Sequence, residues 1–179
     1  MSELGSAPLP PLTDDDHVRG REDAPLLIVY ADLECPYCAS LEARLAPAVS
    51  AGRLRLAVRH FPVRSSHPRA WAAACAAEAA GLQGRFWEMH DSLLSDQGRL
   101  EDPHLWQRAR LLGLDLERFD ADRRSDQVSE RVRRDFTSGV RAGVATTPTG
   151  FFEGEAYHGD RLAELSGSLL SRSVGHIDP

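Results

Sequence analysis

The run APLLIVYADLECPYCAS, residues 24–40, passes without a break from a β-branched apolar stretch into two cysteines, Cys35 and Cys38, separated by Pro36 and Tyr37. A continuous apolar run of this kind suits a strand covered on both faces. Proline directly after the first cysteine suits the first turn of a helix, where its missing N–H would have no partner anyway. The sequence therefore predicts a strand, a sharp turn and a helix, with both thiols at the helix start. Spacing alone admits three readings: a redox dithiol, half of a metal site, or two thiols that are merely adjacent.

The rest of the chain narrows the choice. RLRLAVRHFPV, residues 53–63, alternates and closes on Pro62 as a second strand. A helical stretch follows, from the alanine-rich HPRAWAAACAAEAAGLQ to QVSERVRRDFTSGVRAG, with helix starts at Asp102-Pro103 and Asp115-Leu116 and stops at Gly113 and Gly143. PTGFFEGEAYHG reads as a short hairpin turning at Glu153, Gly154 and Glu155, and DRLAELSGSLLS as a last helix. The order β-α-β, helical insertion, β-β-α is an α/β thioredoxin-like fold with an inserted all-helical domain. The expected division is a flexible N-terminal arm over 1–16, a thioredoxin-like domain over 17–64 and 144–173, the inserted helices over 65–143, and a C-terminal tail over 174–179.

A thiol attacks only as thiolate, and a helix N-terminus favours that form by aiming unpaired N–H groups at the sulfur. Cys35 would sit at that end as the nucleophile. Cys38, one turn later on the same side, would resolve a mixed disulfide formed at Cys35. Zinc generally wants two more ligands at companion spacing, and with no second Cys-x-x-Cys the sequence predicts no metal. Tyr37, unlike a histidine there, adds no positive charge, so the expected potential is moderate, roughly −200 to −230 mV. Asp32 and Glu34 are read as solvated turn residues. Further along, ATTPTGFF would place Thr147 and Pro148 opposite the dithiol, and a cis Pro148 would offer the backbone of Thr147 to an extended peptide or glutathione.

DHVRGREDAPLLIVYADLECPYC, VRHFPV, HPRAWAAACAAEAAGLQGRFWEMHD, LGLDLERF and GVATTPTGFFEGEAYHG together resemble the DsbA-like thiol oxidoreductases of bacteria, within the thioredoxin superfamily. The branch it is most similar to occurs as soluble or fused proteins. The resemblance implies a thiol-disulfide oxidoreductase with Cys35 and Cys38 catalytic, Pro36 and Tyr37 in the active-site motif, and Thr147 and Pro148 binding the partner. It implies no bound cofactor, with glutathione as a candidate co-substrate. Two positions depart from the family pattern: Gly150 stands in place of a large apolar strand residue and, pointing into the groove, would leave room for a partner to approach closely, and Thr146 stands in place of a frequent glycine. A glutathione-dependent isomerase or transferase on the same fold, and a non-catalytic peptide-binding or chaperone module, are the rival readings.

The remaining features speak to setting. A net charge of −6 shows no basic footprint for nucleic acid. No run approaches the roughly 18 apolar residues of a membrane span, and the start lacks signal-peptide character, so a cytoplasmic monomer or homodimer is expected. Three cysteines are too few for a disulfide scaffold and fit a reducing compartment. Cys75 is expected as a small buried hydrophobe, and His60 and His90 as structural histidines.

Overall fold

The computed structural model describes residues 7–171. The expected tail over 174–179 and the first six residues of the expected arm lie outside this range. In chain order the elements are β1 (His17–Arg19), β2 (Leu26–Ala31), α1 (Pro36–Ser50), β3 (Arg55–His60), α2 (Ala70–Gly81), α3 (Phe86–Ser95), α4 (Asp102–Leu111), α5 (Leu116–Asp122), α6 (Asp126–Arg141), β4 (Thr149–Phe152), β5 (Glu155–His158) and α7 (Gly159–Ser171). The strands form one mixed sheet in the order β1-β3-β2-β4-β5. The β2–β3 pair is parallel, as its crossover through α1 requires, and the other pairs are antiparallel. The architecture is the thioredoxin-like α/β fold.

Alternation along the central strands sorts side chains onto two faces. Leu27, Val29, Leu56 and Val58 pack toward α1 and toward Ala73, Ala77 and Met89 of the inserted helices. Ile28, Tyr30 and Ala57 face the other way, onto Phe61, Phe151, Ala142 and Val144. The inserted helices thus share the core of the sheet. In α2, small side chains let neighbours approach closely, and nine of its residues, from Ala70 to Ala80, are buried.

Two expectations need correction. Residues 7–16, read as part of a flexible arm because they lack periodicity, are laid against the sheet: Leu9 and Leu12 pack beside Tyr30 and Phe61. The guanidinium of Arg59 on β3 donates to Pro10 O (3.0 Å), Pro11 O (2.9 Å) and both carboxylate oxygens of Asp16 (2.8 and 3.0 Å). Gly150, read as leaving room in the partner groove, faces the core instead. A Cβ there would stand 2.8 Å from Leu162 Cδ1 and 3.1 Å from Leu27 Cδ1. The glycine lets α7 approach the sheet.

Candidate active site

Strand β2 ends at Ala31, and a turn over Asp32–Glu34 delivers Cys35 to the N-cap of α1 with φ −80° and ψ 120°. Its carbonyl accepts from the backbone N–H of Cys38 (3.1 Å) and Ala39 (3.3 Å), which closes the first helical turn, while Pro36 occupies the position needing no donor. Both cysteines are free thiols. Across the site, the Thr147–Pro148 peptide bond is cis. Cys35 Sγ lies 3.5 Å from the carbonyl of Thr147, to which the thiol donates. The structure therefore brings Cys35, Cys38, Thr147 and Pro148 to one place.

The two sulfurs have opposite electrostatics. Cys35 is held at about 5: a hydrogen bond from the Cys38 thiol acts most strongly, burial opposes it, and the backbone N–H groups of Cys38 and Tyr37 and the Thr147 side chain add to the lowering. Cys38 is fully buried, and that burial pushes its thiol well above the usual range, reinforced by its proximity to Cys35. The backbone N–H of Asp32 donates to Cys38 Sγ at 3.4 Å. Tyr37 projects outward, 74% exposed. Beside the dithiol runs a groove of about 360 Å³, lined by Tyr37, Leu41, Arg44, Thr147, Pro148 and Leu162 among others.

Sequence reasoning misjudged the turn that carries Cys35. Asp32 is buried and not solvated: its carboxylate accepts from the N–H of Glu34 (2.8 Å) and Val63 (2.8 Å) and sits 2.9 Å from His67 Nδ1. Glu34 accepts from the backbone N–H (2.7 Å) and Nε (2.9 Å) of Arg69. Gln97 reaches the same turn and donates to the carbonyls of Leu33 (3.0 Å) and Cys35 (2.9 Å). No local pattern marks Val63, His67, Arg69 or Gln97 as partners, because each is brought in by a distant segment.

His60 and His90 take part in other networks. His60 Nε2 and His17 Nε2 each lie 2.9 Å from Glu78 Oε1. His90 sits between Glu42 (3.2 Å, an ion pair without hydrogen-bond alignment) and Asp91 (3.1 Å). Burial disfavours its charge, but the two carboxylates outweigh that and push it up to about 9. Glu42, His90 and Asp91 are the single metal-ligand-like grouping among the described residues, and Arg19 already pairs with both carboxylates. Cys75 is buried in α2, and that burial raises its thiol to about 11, as befits an inert small hydrophobe.

Known proteins resemble this chain in sequence and in fold. The thioredoxin family profile matches residues 12–170. A Na(+)/H(+) antiporter NhaA 1 of Salinispora arenicola is 42% identical over 90% of this chain, which covers 25% of that protein. The NhaA antiporter of Herminiimonas arsenicoxydans is 44% identical over 92% of this chain and 27% of its own length. The chain thus spans about a quarter of the curated relatives it matches. Among solved structures, a thioredoxin-like oxidoreductase from Silicibacter pomeroyi superposes with a TM-score of 0.77 at 24% identity, covering 89% of this chain and 92% of that one. The thiol-disulfide exchange protein alpha-DsbA2 from Wolbachia pipientis superposes at 0.74 and 18% identity, covering 87% and 86%. BdbD from Bacillus subtilis does so at 0.70 and 18%, covering 86% and 91%. A family match along nearly all of the described chain, joined to this shared fold, makes the chain a member of the thioredoxin family, built on the DsbA-like plan with helices inserted into the sheet domain.

Proposed function

We propose that the chain is a thiol-disulfide oxidoreductase that exchanges disulfides with protein or low-molecular-weight thiols through Cys35-Pro36-Tyr37-Cys38. The observation that carries this reading is the opposed environment of the two thiols at one helix start, Cys35 lowered to about 5 and Cys38 raised. In the reducing direction, the Cys35 thiolate attacks one sulfur of a partner disulfide. The partner S–S bond breaks, its second sulfur leaves as thiolate and takes up a proton, and a mixed disulfide remains at Cys35. Cys38 then loses its proton and attacks Cys35 Sγ. The partner's first sulfur is released as thiol, and the Cys35–Cys38 disulfide forms. Two electrons pass from the dithiol to the partner, and the reverse sequence oxidises a partner dithiol.

The partner would dock in the groove beside Tyr37, with its backbone against Thr147 and Pro148. A reducing, cytoplasmic setting favours reduction or isomerisation, with glutathione as one candidate co-substrate and no bound cofactor. A monomer or homodimer suffices, because both thiols and the facing loop come from one chain.

The test is trapping. Cys38→Ser should accumulate species disulfide-linked to Cys35, whereas Cys35→Ser should trap nothing. Absence of any mixed disulfide in the first variant, together with no exchange between the unaltered protein and glutathione redox buffers, would remove the reading.

A further inference from the structure

The turn that presents Cys35 is closed locally by the Cys35 N–H donating to the Asp32 carbonyl (3.1 Å) and the Glu34 N–H donating to the Asp32 carboxylate (2.8 Å), and neither bond reaches the Leu33 carbonyl. Pro36 has no N–H, so the peptide that follows Cys35 is anchored through the Cys35 carbonyl, which accepts from the N–H groups of Cys38 and Ala39 within α1. The Leu33 carbonyl belongs to no strand or helix, and among the described residues one hydrogen bond reaches it, from Gln97 Nε2 at 3.0 Å. The same nitrogen donates to the Cys35 carbonyl at 2.9 Å. A side-chain amide nitrogen carries two N–H groups, so each carbonyl receives one. Two acceptors also fix which way the amide points, since an oxygen in that place would face two carbonyl oxygens. Gln97 follows α3 in the inserted helices, 62 residues from Cys35.

We propose that Gln97 is a positioning residue for the nucleophile: by holding the Leu33 and Cys35 carbonyls it keeps the Cys35 sulfur among the donors that stabilise its thiolate. The inference rests on reading Cys35 as the attacking thiol. Without the amide, the Leu33 carbonyl loses its partner in a buried turn, and the backbone must shift to find water or another donor. Because Cys35 is the N-cap of α1, a shift there turns the sulfur away from the N–H groups of the first helical turn and from Thr147. A second tie, Glu34 to Arg69, comes from the same insertion and would keep the turn folded while Gln97 alone is altered.

The experiment measures the pH dependence of Cys35 alkylation in the reduced protein for wild type, Gln97→Met and Gln97→Glu, with thermal melts in parallel. Methionine keeps the length and removes both donors. Glutamate puts acceptor oxygens against the carbonyls when ionised and restores one O–H donor when protonated. The expected result is a Cys35 midpoint raised by about one unit in Gln97→Met, which is about a tenfold loss of reactivity on the acid limb. The rise should be larger in Gln97→Glu. Unchanged midpoints in both variants would overturn the proposal, even with lowered melting temperatures, because they would leave Gln97 a packing residue only. Alkylation needs no partner, so a wild-type protein that exchanges no disulfides would defeat the functional reading and still leave this measurement decisive.

Discussion

At the scale of single residues, the site depends on how differently two chemically identical thiols are treated one helical turn apart. Cys35 sits where a neighbouring thiol and helix-start N–H groups converge, whereas Cys38 has only the Asp32 N–H and no contact with water. Pulse alkylation of the reduced protein at pH 6–7 should therefore label Cys35 alone, with a midpoint near 5. Preferential labelling of Cys38 would reverse the assigned roles. The sign of the linked stability follows. A depressed folded value stabilises the reduced protein fully above the free-thiol value of about 8.5, and the gain disappears as pH falls through about 5. The disulfide form has no such titration. The melting temperature of the reduced form should therefore rise relative to the oxidised form across that window. A value of about 5 lies between thioredoxin, about 7, and DsbA, about 3.5. The potential should accordingly fall between about −270 and −120 mV, which includes the range expected from Pro36 and Tyr37.

At the scale of elements, two glycines set how closely helices lie on the sheet, and they differ in what surrounds them. A Cβ at Gly139 of α6 would stand 2.7 Å from Phe61 Cδ2 and 2.8 Å from Tyr30 Cδ1. Both are ring atoms of buried aromatic side chains with little room to move. At Gly150 of β4 the nearest atoms are methyl ends of leucines, which can rotate. Gly139→Ala should therefore destabilise the protein by about 1–3 kcal/mol. The roughly 0.5–1 kcal/mol that alanine gains over glycine in a helix offsets part of this. Gly150→Ala should cost less. Urea unfolding of both variants checks the order, and a more stable Gly139→Ala would show that α6 does not need this close approach.

At the scale of the whole molecule, one buried cation fastens the N-terminal segment to the sheet. Arg59 and Asp16 are each about 4% exposed and joined by two hydrogen bonds, and Arg59 also reaches Tyr30 Oη at 3.2 Å. Burial works against ionisation of Asp16, but the Arg59 contacts prevail and hold it below the ordinary carboxylate range. Removing one partner of such a pair leaves the other charge buried, at about 3–5 kcal/mol. Arg59→Met should thus lose stability on that scale and open residues 7–16 to limited proteolysis. The contribution of the pair is present above the unfolded carboxylate value of about 4 and is lost as pH falls through the lowered folded value. Wild-type resistance to protease in Arg59→Met would mean that Leu9 and Leu12, with the contacts of Asp15 to Arg131 and Arg134 and of Ala7 to Arg141, hold the segment without it.

Local chemistry made much of this protein legible. The apolar run before Cys35, the proline after it, the helix starts at Asp102 and Asp115 and the turn at Glu153-Gly154 are each written within a few neighbouring residues, and backbone sterics, capping and side-chain periodicity act at that range. The candidate thiols and the Thr147-Pro148 loop could be named for the same reason. The three-residue strand β1 was too short to show a period. Asp32 looked like a turn residue because nothing beside it in sequence reveals that Val63 and His67 close over it. Residues 7–16 looked mobile because Arg59, which holds them, lies on β3, and Gly150 looked like open space because Leu162, which fills it, comes from α7. Gln97 carries no signal at all until the insertion folds back onto the Cys35 turn. The sequence determined which groups can do the chemistry, since that is a property of residue type and local geometry. Only the tertiary structure decided which buried polar groups and carbonyls meet them, since those partners become neighbours through the burial of a shared core that joins sheet and insertion.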